Sequence, residues 1–480
     1  MIKRFALIIS LVTVSIINYA QNSNNFTPAS FNNQLISTIP IVEINNQILR
    51  SPITDGKFPL QAGYTLPLTK EVVNKGKWAK IGEINIWQLE IFVQNAHALN
   101  LYLQNINLAE DDKMFIFNPD KNEIIELAPG TTCTDFISGD RIIIELNTKV
   151  LYENIPISID EVGVRFSSPT NLTRGFGGAG DCEVHVNCVE GEYWQNEKNG
   201  IARILVKQDN LTFWCTGSLI NNTRNDGTPY FLTANHCGEL SDSTDYSKWL
   251  FYFNYESENC AQPIIEPEYN TVSGSTLLAK SPSGTNTGSD FKLLLLNDFL
   301  PDAYKPYYNG WDKSGVASPS GVTIHHPQGD VKMISTYTNQ LVSTKYDNTN
   351  EDPDGMYWQV YWSETQSGHG VTEGGSSGSP IFNNLGYVVG ALTGGSASCA
   401  FLNEPDYYGK LSYSWETTSP DHSNTLGYWL DPMNSGVTTL KGTNLDSTNI
   451  FAGFSGEPKS IIVGESVAFI NTSFGNITGY

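Results

Sequence analysis

The sequence predicts an all-β molecule whose C-terminal half folds as two packed β-barrels with a cleft between them. Three observations predict it. Short apolar runs recur along the chain, among them Ile201-Ala202-Arg203-Ile204-Leu205-Val206 and Tyr387-Val388-Val389-Gly390-Ala391-Leu392, with the length and β-branched content of buried strands. The 42 glycines and 23 prolines punctuate those runs with turns. Helical signals are sparse, and the one cue in the C-terminal half lies around Trp415.

Taken in order, residues 1–20 carry Lys3 and Arg4, then the apolar run Phe5-Ala6-Leu7-Ile8-Ile9-Ser10-Leu11-Val12, and end in Tyr19-Ala20. This is the pattern of a secretory signal peptide and predicts an extracellular protein. No later segment has the roughly 18 successive apolar residues of a membrane span. Residues 21–174 alternate apolar and polar positions in runs such as Ile81 to Phe92 and Arg141 to Leu146, which predicts a small β-rich domain. It holds no constellation of catalytic type. Its place between signal and barrels makes it a propeptide that assists folding and masks the site; the alternative is a permanent N-terminal β-domain. The junction spans Thr170 to Asp181 and contains Arg174-Gly175-Phe176-Gly177-Gly178, a basic residue followed by glycines and so open to proteolysis.

Three segments of residues 175–444 carry chemistry. Gly374-Gly375-Ser376-Ser377-Gly378-Ser379-Pro380 places a serine hydroxyl beside open backbone N–H groups, and Gly375 and Gly378 allow a tight loop with no Cβ in the way. Thr233-Ala234-Asn235-His236-Cys237 follows the apolar Tyr230-Phe231-Leu232, so His236 ends a buried strand. Gly288-Ser289-Asp290-Phe291 leads into Lys292 to Leu296, so Asp290 begins another. The order His236, Asp290, Ser377 is that of the chymotrypsin type of triad, distinct from the orders of subtilisin and the α/β-hydrolases. Asp290 would fix the tautomer of His236, His236 would take the Ser377 proton, and the N–H groups of Gly375 and Ser377 would receive the oxyanion. Losing such a donor costs roughly 3 to 4 kcal/mol. The chemistry calls for no cofactor.

Six of the seven cysteines, at 182, 188, 215, 237, 260 and 399, lie in this half, and Cys133 precedes it. Their spacings contain no C-x-x-C and the chain has no H-E-x-x-H, which argues for disulfides over a metal site. A formal charge of −22 argues against nucleic-acid binding and suits cationic substrates.

From about Gly175 to Asn444 the chain resembles the lysyl endopeptidases, a bacterial branch of the trypsin-like serine proteases. The matching segments are Cys215-Thr216-Gly217-Ser218-Leu219-Ile220, those of His236 and Asp290, Ile324-His325-His326-Pro327-Gln328-Gly329-Asp330-Val331-Lys332, the Ser377 loop and Asp406-Tyr407-Tyr408-Gly409. The resemblance implies a chymotrypsin-like double β-barrel, disulfides Cys182–Cys399, Cys188–Cys260 and Cys215–Cys237, and Asp406 at the base of the primary pocket opposite a substrate ammonium. The Cys215–Cys237 bridge would also brace the hairpin ending at His236, worth roughly 3 kcal/mol. It implies cleavage after Lys, in a monomer acting on polypeptides with basic residues and inhibited by its own propeptide. Thr393 stands where the family carries a histidine lining the cleft, which predicts a relaxed preference for Lys over Arg. Ser376 stands where trypsin-like zymogens carry the aspartate that pairs with a new N-terminus, so activation takes another route. The resemblance places the mature N-terminus near Gly175. Arg174 before it means either another processing protease or tolerance of arginine. No mechanistic role attaches to His325 or His326, for which a structural role is expected over metal binding.

Beyond residue 451, Ile461 to Phe469 alternates like a strand, and the segment resembles the opening of a PKD-type β-sandwich, a module suited to attachment to a surface or polymer. Thirty residues are too few to bury such a core. Two other functions remain open on the sequence: a secreted adhesion or binding protein with an inactive protease fold, and an esterase with the same triad.

Overall fold

Alternating burial along the N-terminal strands builds two sheets over one apolar core. The computed structural model describes residues 27–32, 39–44, 59–165, 175–283, 288–348, 350, 352, 354–416 and 422–444, and the backbone at 454–457 and 468–471. Residues 1–20, expected from the sequence to be a signal peptide, Arg174 and most of the tail lie outside the described residues. The N-terminal strands are β1 (Ile41–Ile44), β2 (Leu60–Pro67), β3 (Lys77–Ile81), β4 (Ile84–Val93), β5 (Ala98–Ile106), β6 (Lys113–Phe117), β7 (Ile124–Leu127), β8 (Ile137–Ser138), β9 (Arg141–Thr148) and β10 (Ile157–Arg165). One sheet runs β1-β4-β9-β6-β7, with β3 paired to β4. The run read from Ile81 to Phe92 is thus a hairpin, broken at Gly82, whose φ of 59° suits a residue without a Cβ. Trp87, Leu89 and Ile144 from this sheet share a core with Leu101, Leu103 and Val162 from β5 and β10 of the second.

The second sheet does not stop at the N-terminal region. Its order continues β8-β5-β10-β2 into the strands of the first barrel. Those are β11 (Ile201–Gln208), β12 (Leu211–Leu219), β13 (Tyr230–Ala234), β14 (Leu250–Phe253), β15 (Asn270–Ser273), β16 (Ser275–Lys280) and β17 (Phe291–Leu296). They follow the order β15-β14-β11-β12-β13-β17-β16 around Ile204, Val206, Phe213, Phe231 and Phe251. Gly63 of β2 sits where a Cβ would meet the Val164 carbonyl oxygen at 2.2 Å, so β2 fits between β10 and β12 only with glycine there.

The second barrel contains β18 (Tyr307–Tyr308), β19 (Trp311–Asp312), β20 (Gly321–His325), β21 (Met333–Tyr337), β22 (Val342–Thr344), β23 (Tyr357–Val360), β24 (Pro380–Asn383), β25 (Val388–Gly395) and β26 (Asp406–Lys410). Its main order is β21-β20-β24-β25-β26-β23-β22 around Tyr337, Trp358, Ile381 and Tyr408. Ile201, Leu232 and Leu293 of the first barrel join Trp311, Val322 and Phe382 of the second in one core between them. The helical cue near Trp415 becomes two single turns, Leu411–Trp415 and Leu426–Leu430, with Trp415 packed on Trp311 at 4.3 Å between ring centroids. In the tail, Phe454–Glu457 pairs antiparallel with Ala468–Asn471, so only the end of the expected strand falls in the described part.

Candidate active site

The hairpin-like pairing of β13 with β17 sets Ala234 opposite Phe291, so the residues just past those strand ends meet. His236 Nδ1 lies 2.6 Å from Asp290 Oδ2, and the His236 backbone N–H donates to Asp290 Oδ1 at 2.9 Å. Asn235 N–H donates to the Asp290 carbonyl at 2.7 Å. Both carboxylate oxygens therefore grip one residue. Asp290 adopts a left-handed φ of 56°, a conformation that costs a non-glycine residue about 1 kcal/mol or more and is held here by those contacts. Lys292, buried two residues on, donates to the carbonyls of Cys237 and Gly238 at 2.5 and 2.8 Å and so fixes the turn that follows His236. Its burial pushes the ammonium pKa well down. The Asp290 side chain is 9% exposed and that of His236 21%, so the imidazole is the more open of the two to water.

The Ser377 loop precedes β24 and is tied to the first barrel beside His236, the Ser377 carbonyl oxygen lying 3.7 Å from Cys237 Sγ. Thr216 N–H donates to the Ser377 carbonyl at 2.8 Å, and Thr216 Oγ1 to the Gly375 carbonyl at 2.9 Å. Gln328 N–H donates to the Gly374 carbonyl at 2.6 Å. In a trans peptide the C=O and N–H point in opposite directions, so this bond turns the Gly375 N–H away from Gln328. Among the described residues neither Gly375 N–H nor Ser377 N–H has an acceptor, which leaves both donors free for a ligand oxygen. Gly375 and Gly378 have φ of 96° and 82°. A Cβ on Gly378 would lie 2.1 Å from Thr233 Oγ1, so both glycines are required by space or conformation.

Ser376 has a partner that sequence reasoning missed. Its hydroxyl lies 2.7 Å from His325 Nδ1, while His325 Nε2 lies 3.0 Å from Ser335 Oγ. Ser335 Oγ donates to the Val371 carbonyl at 2.6 Å, and Glu373 N–H donates to Ser376 Oγ at 3.2 Å. These fixed ends set every proton: Ser335 accepts from His325 Nε2–H, so Nδ1 accepts from Ser376. Burial pushes the His325 pKa down to about 3, which keeps the ring neutral and suited to both roles. His326 is buried as well, with Nδ1 2.8 Å from the Asp330 carbonyl and its ring stacked on Tyr255. Among the described residues no cluster of three or more His, Cys, Asp or Glu side chains has the arrangement of a metal site. The sequence signal for His325 was Ser376 itself, a polar residue next to Ser377 that lacks the usual charge and needs another tether.

Asp406 begins β26 and is 1% exposed. Its Oδ2 accepts from Trp362 Nε1 and from Thr372 Oγ1, each at 2.7 Å, and Oδ1 accepts from Ala397 N–H at 3.3 Å. Thr372 leads into the Ser377 loop and Ala397 follows β25, so the carboxylate ties these two segments together. Burial pushes its pKa up to about 6 despite those donors. Thr393 is the extra residue of a β-bulge between Leu392 and Gly394, where β25 pairs with β26. Nearby, the Tyr346 ring packs 5.5 Å from those of Tyr357 and Tyr407, an aromatic cluster that the sequence reading did not single out.

The structure joins Cys182 to Cys399, Cys188 to Cys260 and Cys215 to Cys237, and leaves Cys133 a buried free thiol. Two cavities of about 570 and 370 Å³ lie elsewhere, both partly lined by the N-terminal region, and neither is lined by His236, Ser377 or Asp406.

Residues 176–409 match the family described as lysyl endopeptidase, C-terminal domain. Over 295 residues, 58% of this chain, the sequence is 28% identical to a lysyl endopeptidase of Pseudomonas aeruginosa, and the match spans 60% of that protein's length. Among solved structures, the protease Anisep from Arthrobacter nicotinovorans aligns at 17% identity over 45% of this chain and 91% of its own, with a TM-score of 0.32. The active form of the Rv3671c protease from M. tuberculosis aligns at 12% identity over 46% of this chain and 79% of its own, with a TM-score of 0.29.

Proposed function

We propose that this chain is a secreted serine endopeptidase, made as a precursor, that hydrolyses peptide bonds on the carboxyl side of Lys and accepts Arg as well. One observation carries the reading: a His236–Asp290 pair gripped through two contacts beside a serine loop that holds two backbone N–H groups free. Asp290 accepts from His236 Nδ1–H and leaves Nε2 as the base. Nε2 takes the proton from Ser377 Oγ as that oxygen attacks the scissile carbonyl. The negative oxygen of the tetrahedral intermediate is met by Gly375 N–H and Ser377 N–H. His236 then protonates the leaving amine, and water repeats the cycle on the acyl-enzyme.

Selectivity rests on Asp406. A carboxylate held in a site that raises its pKa is an uncompensated charge, and a substrate ammonium reaching it relieves the cost, whereas a neutral side chain does not. The Pseudomonas aeruginosa relative is a lysyl endopeptidase, which is consistent with this choice of substrate. The region before about Gly175 is read as a propeptide and the six paired cysteines as the mark of an oxidising compartment.

The test is to remove the N-terminal region and offer the remainder a denatured polypeptide and, separately, a simple ester. Cleavage of the polypeptide after basic residues supports the proposal. Turnover of the ester alone points to an esterase, and inactivity on both to an adhesion protein on an inactive fold.

A further inference from the structure

The edge of β12 carries three occupants in a row. At one end Ser218 and Leu219 pair with Leu232 and Phe231 of β13. In the middle Thr216 holds the Ser377 carbonyl. At the other end Leu211, Thr212, Phe213 and Trp214 pair antiparallel with Tyr64, Gly63, Gln61 and Leu60 of β2, and Asn210 O accepts from Thr65 N–H at 2.9 Å. Leu60 faces Trp214, two residues from Thr216, and two residues along a strand is about 7 Å. Leu60 also reaches the serine loop itself, its Cβ lying 3.3 Å from the position a Cβ would take on Gly374. From Leu60 to Pro67 the chain runs away from the nucleophile, which is the direction taken by the leaving-group side of a peptide cleaved at Ser377.

The attachment is wider than one strand. Lys248 Nζ pairs with Asp160 at 2.9 Å and Lys207 Nζ with Glu161 at 3.2 Å. Asp135 is buried where it accepts from Tyr252 at 2.7 Å and from Tyr269, next to the Arg203 guanidinium stacked 4.1 Å over the Tyr252 ring. Two ion pairs thus tie acids of the N-terminal region to cations of the first barrel, and Asp135 adds a buried carboxylate near a third cation. By contrast, the His236–Asp290 pair and the serine loop are each held in place in this uncut chain. The bonds that orient the serine loop come from Gln328, Thr216 and His325 and need no free N-terminus, and the His236 side chain keeps its 21% exposure.

From this juxtaposition we infer that the N-terminal region confers latency by seating β2 on the leaving-group side of the cleft, as a fixed peptide strand, over a catalytic site that is already formed. The inference rests on the protease reading. Strand addition uses main-chain bonds that any extended substrate would have to replace. The precursor therefore refuses extended polypeptides and still reacts with small acylating reagents.

The experiment uses the full chain with Arg174→Gln to slow processing, beside the matured enzyme. A small phosphonofluoridate probe reports the site alone: Ser377 Oγ bonds to phosphorus, fluoride leaves and His236 takes the proton. A denatured polypeptide reports the covered side. The uncut chain is expected to label at a rate within about tenfold of the mature enzyme and to cleave polypeptide at least about 100-fold more slowly. Leu60→Asp, and independently Asp160→Lys, should each raise polypeptide cleavage by the uncut chain about tenfold or more with labelling unchanged, and labelling in the same sample shows that the variant is folded. Failure of the uncut chain to label while the mature enzyme does, or equal polypeptide cleavage by both, overturns the inference. So does indifference of polypeptide cleavage to both substitutions. If neither form labels, it is the protease reading that falls.

Discussion

Replacing Asp406 by Asn should make the protein more stable and a poorer enzyme at the same time. Burial lifts the Asp406 pKa from 3.8 to about 6. A shift of roughly two units is worth about 3 kcal/mol of unfavourable free energy for holding the ionised form at neutral pH. Because the folded pKa lies above the unfolded one, the contribution of this group is complete below pH 3.8 and is lost as pH rises through about 6. Asn keeps an acceptor for Trp362 Nε1 and Thr372 Oγ1, while its amide faces the Ala397 N–H, a mismatch costing about 1 kcal/mol. The net gain expected at pH 8 is therefore about 2 kcal/mol, shrinking or reversing at pH 4. In the same variant kcat/KM for Lys substrates should fall about 100-fold or more, roughly 3 kcal/mol, with much less effect on neutral side chains. Denaturant unfolding in a Ser377→Ala background at the two pH values measures the first effect without autolysis, and peptide kinetics in the active background measures the second. A variant less stable than wild type by the same amount at both pH values would refute the reasoning, because Asp406 would then be an ordinary hydrogen-bonded residue with no charge to relieve.

Ser377→Ala should abolish turnover by about 10⁴-fold with the fold intact, and a residual rate above about one per cent of wild type would remove Ser377 from the nucleophile's role. Mass spectrometry of the secreted protein should find an N-terminus between Arg174 and Gly178; a fully active, intact precursor would contradict the propeptide reading. His325→Ala should lower kcat by about 10-fold or more with little change in KM, since Ser376 loses its acceptor and the Gly375 peptide its orientation. The pH–rate profile above pH 5 should keep its shape, because burial holds the His325 pKa down to about 3; a changed profile would mean that His325 titrates in catalysis. Cleavage profiling on a mixed peptide library should return both Lys and Arg sites, and cuts spread over neutral residues would exclude Asp406 as the pocket base.

Local pattern made the strands legible, and hence the ends on which His236 and Asp290 sit. The runs Tyr230 to Leu232 and Lys292 to Leu296 could hardly be anything but buried strands, and their pairing follows from that burial. What the sequence hid are contacts between residues far apart in the chain. Gln328 acts through its backbone N–H, which every non-proline residue possesses, so no side chain advertised it. His325 reads as one histidine of a pair, and only the fold brings it to Ser376, 51 residues away. The pairing of β2 with β12 was equally hidden, because an alternating strand shows which face is buried and not which neighbour completes the sheet. Trp362 and Thr372 belong to the same class: their donors converge on Asp406 from separate loops.

Removing the N-terminal region would expose a bare row of amide and carbonyl groups along Leu211 to Trp214, and unpaired strand edges invite association between molecules. The same event would take Asp160 from Lys248 and Glu161 from Lys207, now 5% and 3% exposed, while Lys207 keeps Asp245 at 3.2 Å. Like charges beside an open edge repel a second copy of it, a protection that natural sheets use widely. Maturation would thus convert a neutralised seam into a cationic border: hostile to self-pairing, yet open to any peptide that brings its own acidic residues on the leaving side.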